Sequence, residues 1–565
     1  MTDFPQSWPR TWNDEIREAA AGALKSGSPA AAKLALGLFD GQTEENKGPA
    51  FTLGICSTFV VETQTDVIRL ALAAHSVNPA IVAADLDNIE QALLEPASEF
   101  RALNPDAVLV LWRLDELSPR LAFEAAALGG AERKAAADQV IGRIQSLCRG
   151  YAANGTAPLF ISTVPGPAVC GSRLADLHAG HGVASAVHRI NLTVLEAAAQ
   201  NPLVHVFDFA GWAGRTGSGA FSAKMDFFAR RPIAADSVAS FARHIGSTMA
   251  PLLGPPAKAL AVDLDNTLWG GVLDEDGISG LKADHSFPGN VYRRIQTAVL
   301  ALKAQGVVLV LLTQNDEDEV RQAFAALSDM PLRLGDFALV KAGYGPKYLN
   351  LIAAAGELGL AVDSFVFLDD QAFERQQMIH QLPQVRTLAV SEDPIAILDA
   401  VGQCAPFDAY RFTDEDRRRP NDYANLHRRA DPDQAQGSVE DFLHGLDLKA
   451  VVAPLSEAAI GRAVQMLART NQFNLTTRRH GEAVLRRMMA NEGTILLSVS
   501  LSDRFGDLGI VGLVLAAPSD DPAHEGNSVL AIDSFLVSCR ALGRGVEDIL
   551  WSELVRRAGA AGHRV

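Results

Sequence analysis

Two aspartates one residue apart, Asp263 and Asp265, close the apolar run Ala259–Val262 and are followed by Thr267, Trp269, Gly270 and Gly271. The run reads as a buried strand, and chemistry in open α/β sheets sits where strands end and loops begin. On an extended chain, carboxylates two positions apart face the same way. One can act as nucleophile and the other as proton donor, with a divalent cation between them. The plainer alternative is an acidic helix cap, because Asp, Asn and Thr all serve in that role.

The elements that would position such a site follow downstream. Gly306–Leu312 is a second apolar run and ends on Thr313, Gln314 and Asn315. Ser364–Leu368 is a third and ends on Asp369 and Asp370, while Lys347 follows Gly345 and Pro346. Singly these are a loop threonine, a surface lysine and an acidic cap; in this order they resemble the four motifs of the haloacid dehalogenase (HAD) phosphotransferase superfamily. That resemblance implies Asp263 as the group attacking phosphorus and Asp265 as the proton donor and acceptor. It implies Thr313 on a phosphate oxygen, Lys347 neutralising charge, and Mg²⁺ held among Asp263, Asp265, Asp369 and Asp370. Thr267, Trp269, Gly270 and Asn315 are the implied phosphate-side contacts.

A chain of 565 residues exceeds a single core and suggests three or four domains. A hydrophobic fraction of 48% and a charged fraction of 21% are those of a globular protein. A net charge of −17 argues against a general nucleic-acid or membrane-surface binder, although Arg478, Arg479 and His480 form a local basic patch. No apolar run is long enough to span a bilayer, and the polar N-terminal stretch lacks an apolar signal-peptide core. Cys56, Cys148, Cys170, Cys404 and Cys539 are widely spaced, with neither a disulfide framework nor a zinc-site spacing, so a reducing cytoplasm is the expected location.

Residues 1–250 alternate strands and Ala- and Leu-rich helices, with strands expected at Phe51–Cys56, Ile81–Ala84, Ala107–Leu111, Leu159–Ser162 and Val204–Phe207. This is a doubly wound α/β pattern. Pro251–Pro256 reads as a linker into a domain spanning 251–400. Polarity rises from Ser391, and 401–437 reads as a partly helical connecting segment whose charges form a solvated face. A further domain occupies 438–565. It holds the amide- and hydroxyl-rich run Thr470–Arg479, with Asn471, Asn474 and Arg478 as ligand-binding candidates and a capped turn as the alternative. It also holds a strand pattern over Val529–Val537, then Ser538-Cys539-Arg540-Ala541-Leu542-Gly543-Arg544-Gly545 and a helical stretch Val546–Ala558. Arg540, Gly543 and Gly545 resemble the RxxGxG loop of GNAT acyltransferases, where backbone N–H groups at a helix start bind pyrophosphate.

The extended DLDNTLWGG motif, the run Asp369–Arg375, TNQFNLTTRR, Asp503–Asp507 and Ser538–Glu547 together resemble the FkbH-like family. The resemblance implies a multidomain α/β protein: an SGNH-like doubly wound α/β domain, a HAD Rossmann-like domain and a GNAT-like α+β domain. It implies removal of phosphate from 1,3-bisphosphoglycerate and delivery of a glyceryl unit to the phosphopantetheine thiol of an acyl carrier protein in polyketide biosynthesis, feeding methoxymalonyl units or tetronates. Mg²⁺ is the implied metal; Arg540, Gly543 and Gly545 would bind pantetheine, and Cys539 would carry the glyceryl group covalently, a buried structural cysteine being the alternative. Four departures from the family pattern stand out: Gln314 replaces the usual lysine, and Tyr344-Gly345 the usual tryptophan. Cys56-Ser57-Thr58 replaces Gly-Asp-Ser, and Asp236 and His244 are too far apart for Asp-x-x-His. The first domain is therefore expected not to be a working esterase but to dock the carrier protein or a second protomer, a homodimer being left open. A GNAT fold normally needs more strands than follow the loop and helix, so truncation is an expectation too. A stand-alone HAD phosphatase and a non-catalytic docking module are the alternatives.

Overall fold

The computed structural model describes residues 9, 11–166, 174–178, 180–254, 256–402, 404–429, 448–469, 474–476, 478, 480–503, 506–519, 529–538, 541 and 544–563. The chain divides into two compact units, Asp3–Leu253 and Gly254–Val565.

In the first unit, β1 (Ala50–Ser57), β2 (Asn78–Ala83), β3 (Ala107–Leu111), β4 (Leu159–Ser162) and β5 (Val204–Phe207) form a parallel sheet in the order β2-β1-β3-β4-β5. Every residue of β3 and β4 is buried, as expected of strands covered on both faces. The helices Gly130–Asn154 and Val183–Gln200 supply Ile144, Leu147 and Ile190 to the core holding Val108, Val110 and Ile161. β2 begins three residues before the expected position because it contains Pro79, which an edge strand tolerates.

The strand order of this sheet reverses between β1 and β3, where ligands commonly bind. Ion pairs fill that crevice. Arg113 bridges Asp115 and Asp226, and Arg230 bridges Asp87 and Glu116 while donating to the Thr58 carbonyl at 2.9 Å. Burial pushes the Cys56 thiol far above its ordinary range. Ser57 accepts the Phe59 N–H, and His244 Nε2 lies 3.0 Å from the Asp208 carbonyl oxygen. Among the described residues no hydrogen bond joins Ser57 or Thr58 to His244.

The second unit opens with β6 (Ala259–Val262), β7 (Val308–Thr313), β8 (Leu339–Ala342), β9 (Phe365–Leu368) and β10 (Arg386–Thr387). All are parallel, in the order β10-β9-β6-β7-β8. β6, β7 and β9 are buried throughout. The chain progresses outward from β6 through β7 to β8, then returns to β9 on the other side. The reversal leaves a crevice at the C-terminal ends of β6 and β9.

Two expectations need correction. The helix Val238–Leu253 runs through Pro251, so half of the expected linker is helical. The supposed solvated connector contains the helix Asp414–Arg429, whose Tyr423 is buried beside Phe365 and Phe367 and whose Asp416 is fully buried. Thr413 and Asp416 cap each other reciprocally: the Thr413 N–H reaches Asp416 Oδ2 at 3.0 Å, and the Asp416 N–H reaches Thr413 Oγ1 at 3.2 Å. Gly306, with φ +100, lies so close to this helix that a Cβ would sit 2.1 Å from the Asp416 carbonyl oxygen.

The last part of the unit is an antiparallel sheet, β11 (Lys449–Pro454), β12 (Ile495–Asp503), β13 (Gly506–Pro518) and β14 (Leu530–Val537), in sequential order. The helix Val546–Ala560 packs on one core, with Val499 and Val537. Residues of the helices Ile460–Arg469 and Glu482–Ala490 pack in another, with Leu513 and Leu536. Among the described residues, no helix is long and apolar enough to cross a membrane.

Candidate active site

The crevice between β6 and β9 gathers the charged residues singled out above. The β6–β9 ladder continues one step past the strands, with the Asp263 N–H donating to the Leu368 carbonyl at 3.0 Å, and this sets Asp263 beside Asp369. Asp263, Asp369 and Asp370 are all buried, and each offers a carboxylate oxygen within 4.8 Å of the others. Lys347 opens the helix Lys347–Leu358, only 3% exposed, and its Nζ lies 2.7 Å from Asp263 Oδ1 and 2.6 Å from Asp369 Oδ2.

Electrostatics follow from this packing. Burial raises the Asp263 pKa well above the carboxylate range; Lys347 opposes that rise and Asp369 adds to it. Asp370 is pushed up to about 6, by burial first and then by the Asp369 charge. Burial alone would lower the Lys347 pKa, but the Asp263 and Asp369 carboxylates outweigh it and hold the ammonium above its ordinary value. Three carboxyl groups thus face one ammonium, an arrangement that gains from further positive charge. A buried hard-oxygen set of that kind fits a divalent cation such as Mg²⁺, which binds through few carboxylates.

Asp265 does not join this set, which corrects its expected place among the metal ligands. Side-chain alternation ends with β6 at Val262, and the loop turns at Asn266, whose φ is +52. Asp265 Oδ1 accepts from Trp269 Nε1 at 2.8 Å and from the Leu273 N–H at 3.2 Å; Oδ2 accepts from Asn315 Nδ2 at 2.8 Å. The same Asn315 amide donates to Thr313 Oγ1 at 2.8 Å. The ends of β6 and β7 are thereby tied together through the side chain expected to move the proton.

Three expected phosphate contacts are engaged by protein partners in the structure. Thr267 is fully buried; its hydroxyl donates to Asp370 Oδ1 at 3.3 Å and accepts the Asp370 N–H at 3.2 Å. Trp269 is buried and orients Asp265. Gly270 pairs with Lys282 through the backbone, and a Cβ there would meet the Tyr292 ring at 2.7 Å.

The sequence reading missed Arg375 and Glu374. Arg375 Nη1 donates to the backbone carbonyls of Asp369 at 2.8 Å and Asp370 at 2.5 Å, holding the acid pair in place. Glu374 accepts from Gln314 Nε2 at 3.2 Å, and Gln314 also donates to the Gly345 carbonyl at 3.1 Å. The available signal was spacing: both residues lie one turn beyond the acid pair, on the helix Ala372–Gln381.

In the C-terminal part, Arg478 is not a free anion binder: its Nη1 pairs with Asp533 Oδ2 at 2.6 Å, and His480 Nε2 lies 2.5 Å from Asp533 Oδ1. Asn474 forms a bridge with Leu536 of β14. Gly545 has φ +73 and immediately precedes the helix Val546–Ala560. Cys539, Arg540, Gly543 and Asn471 lie outside the described residues.

Residues 60–249 match the family model described as FkbH, N-terminal domain. A solved structure of the N-terminal part of the protein BF1531 from Bacteroides fragilis, described as containing a phosphatase domain complexed with Mg, is similar with a TM-score of 0.59 and 20% identity. The match covers 69% of this chain and 98% of that one. No curated protein matches the sequence. Residues 60–249 thus match an FkbH N-terminal domain, and the chain shares its fold with the BF1531 fragment.

Proposed function

We propose that the protein is a Mg²⁺-dependent phosphatase of the FkbH type. In this reading it removes the ester phosphate from the three-carbon unit of 1,3-bisphosphoglycerate and delivers the glyceryl group to the phosphopantetheine thiol of an acyl carrier protein. The observation that carries the phosphatase part is the buried Asp263–Lys347–Asp369 bridge, with Asp370 beside it, at the strand-order reversal. The FkbH N-terminal match and the Mg complex described for the BF1531 fragment support it.

Asp263 attacks phosphorus; a P–O bond to the carboxylate forms as the ester P–O bond breaks. The departing oxygen takes a proton from Asp265, whose carboxyl is held by Trp269, Leu273 and Asn315. Water then attacks the aspartyl phosphate, Asp265 takes its proton, and inorganic phosphate leaves with Asp263 restored. Lys347 balances charge on Asp263 throughout. Asp263, Asp369 and Asp370 would hold a divalent cation, whose chemistry there would be charge neutralisation.

The acyl phosphate of the same substrate is already activated, so a thiol can displace its phosphate without ATP. Cys539 is the proposed covalent carrier, with Arg540, Gly543 and Gly545 receiving the pantetheine phosphate at the start of the last helix. The second reading is a stand-alone phosphatase acting on a small metabolite, favoured by the engagement of Arg478 with Asp533.

The deciding experiment incubates the protein with Mg²⁺, enzymatically generated 1,3-bisphosphoglycerate and a phosphopantetheinylated carrier protein, followed by intact-protein mass spectrometry. A glyceryl adduct on the carrier, absent with Asp263→Asn, supports the proposal; phosphate release with neither protein modified favours the second reading.

A further inference from the structure

Glu374 is 6% exposed, and while its Oε1 receives the Gln314 amide, its Oε2 is buried without a hydrogen-bond partner. Gln314, at the end of β7, is exposed, and its Nε2 is also engaged by the Gly345 carbonyl. Both amide hydrogens are therefore occupied, and Gln314 cannot supply a second donor. The amide joins the loop after β7, the loop before Lys347 and the helix after Asp370, so the carboxyl stands where the phosphatase loops meet. Burial raises the Glu374 pKa, Lys347 opposes that rise and Asp369 adds to it, which places the carboxyl within the electrostatic reach of the site.

A buried acceptor without a donor is costly, and beside a reaction centre it favours a ligand that brings one. A site built to pair with a substrate hydroxyl rejects analogues lacking it. It rejects an anion in that place more strongly, because like charges are then brought together. The surroundings reinforce this, with four carboxyl groups, Asp263, Asp369, Asp370 and Glu374, near one ammonium, Lys347.

We propose that Glu374, oriented by Gln314, selects the substrate of the phosphatase site: its free Oε2 takes the hydrogen bond of a hydroxyl neighbouring the phosphoester, and a carboxylate or second phosphate is rejected there. This inference rests on the phosphatase reading above. The substrate class is a hydroxylated phosphomonoester with no second anion. An acyl phosphate or free acid carries such an anion, whereas a thioester of the same acyl group does not. A reaction converting the acyl phosphate to a thioester therefore precedes ester hydrolysis.

The test uses the full chain with Mg²⁺ and measures kcat/KM for glycerol 3-phosphate, n-propyl phosphate and 3-phosphoglycerate. Glycerol 3-phosphate is expected to exceed each of the others by about tenfold or more. Glu374→Gln should shrink both ratios within that variant. Gln314→Lys, at an exposed position, brings an ammonium beside the Glu374 carboxyl and should raise the relative use of 3-phosphoglycerate by about tenfold. Ratios near one in the native protein, or ratios that neither substitution moves, overturn this inference alone. Failure to hydrolyse any of the three esters overturns the phosphatase reading and this inference with it.

Discussion

Replacing Lys347 with methionine removes the ammonium that bridges Asp263 and Asp369 while keeping most of the side-chain volume. At an effective dielectric constant of about 20, each contact near 2.7 Å is worth roughly 6 kcal/mol of gross attraction. Desolvation of the buried ions offsets several kcal/mol of that, and breaking a buried pair by removing one partner costs about 3–5 kcal/mol. In the unit Gly254–Val565 that lowers the melting temperature by roughly 5–8 °C. The loss should be full at neutral pH. Lys347 has a folded pKa above its unfolded one, so its contribution is complete below the unfolded value and disappears only as pH rises through the folded one. Mg²⁺ restores part of the missing positive charge, so the variant should gain more from saturating Mg²⁺ than the native protein does. Differential scanning fluorimetry in EDTA and in Mg²⁺ at pH 7.5 reads both effects. A variant within about 2 °C of native in EDTA, or one that gains no more from Mg²⁺, would refute the charge argument.

Trp269→Phe removes the indole donor from Asp265 but keeps an aromatic ring in the core; kcat for phosphate release should fall about 10- to 100-fold with KM little changed, as steady-state kinetics would show. Asp263→Asn should abolish turnover without altering the circular dichroism spectrum; retained phosphate release would rule out Asp263 as nucleophile. Protons compete with Mg²⁺ at Asp370, whose pKa lies at about 6, so the Mg²⁺-induced melting shift should be larger at pH 7.5 than at pH 5.5. In EDTA the sign reverses: a raised carboxyl pKa means the folded state binds the extra proton between about pH 4 and 6, and Asp370's contribution to stability falls across that window as pH rises. Gly306→Ala forces a Cβ onto the Asp416 carbonyl oxygen at a positive φ and should destabilise the unit by about 2 kcal/mol or more, measured by urea unfolding.

Much of this architecture was legible because fully buried parallel strands are written as unbroken apolar runs. Ala107–Leu111 and Ala259–Val262 are such runs and fall where expected; Leu159–Ser162 and Val204–Phe207 also do, although Ser162 and the half-buried His205 break the apolar pattern. Asp263, Lys347, Asp369 and Asp370 converge because each follows a strand or begins a helix at the same edge of one sheet. Asp265 was misplaced for a local reason: the two-residue alternation that puts it beside Asp263 stops at Val262. Thr267 and Trp269 have side chains that can serve a ligand or a neighbour, and only tertiary packing reveals that the neighbours are Asp370 and Asp265. The helix Asp414–Arg429 was hidden by its composition. Its arginines and aspartates read as solvated, although one tyrosine and one aspartate on it face inward.

That helix bears on where the protein can be cut and recombined. Tyr423 packs in the core with Phe365 and Phe367, Arg419 donates to the Gly306 carbonyl, and Asp416 accepts from Gln465 on the helix Ile460–Arg469 of the C-terminal part. A fragment ending near residue 400 would expose the hydrophobic seat of Tyr423 and leave Gly306 facing nothing. A fragment beginning near 438 would strip the Gln465 Nε2 of Asp416 and Thr413. Gene fusions, domain exchanges and minimal expressed fragments should therefore carry the whole span from Gly254 onward as one heritable block. The proposed phosphate chemistry and the proposed thioester chemistry lie in different parts of that block, so the two would be inherited together.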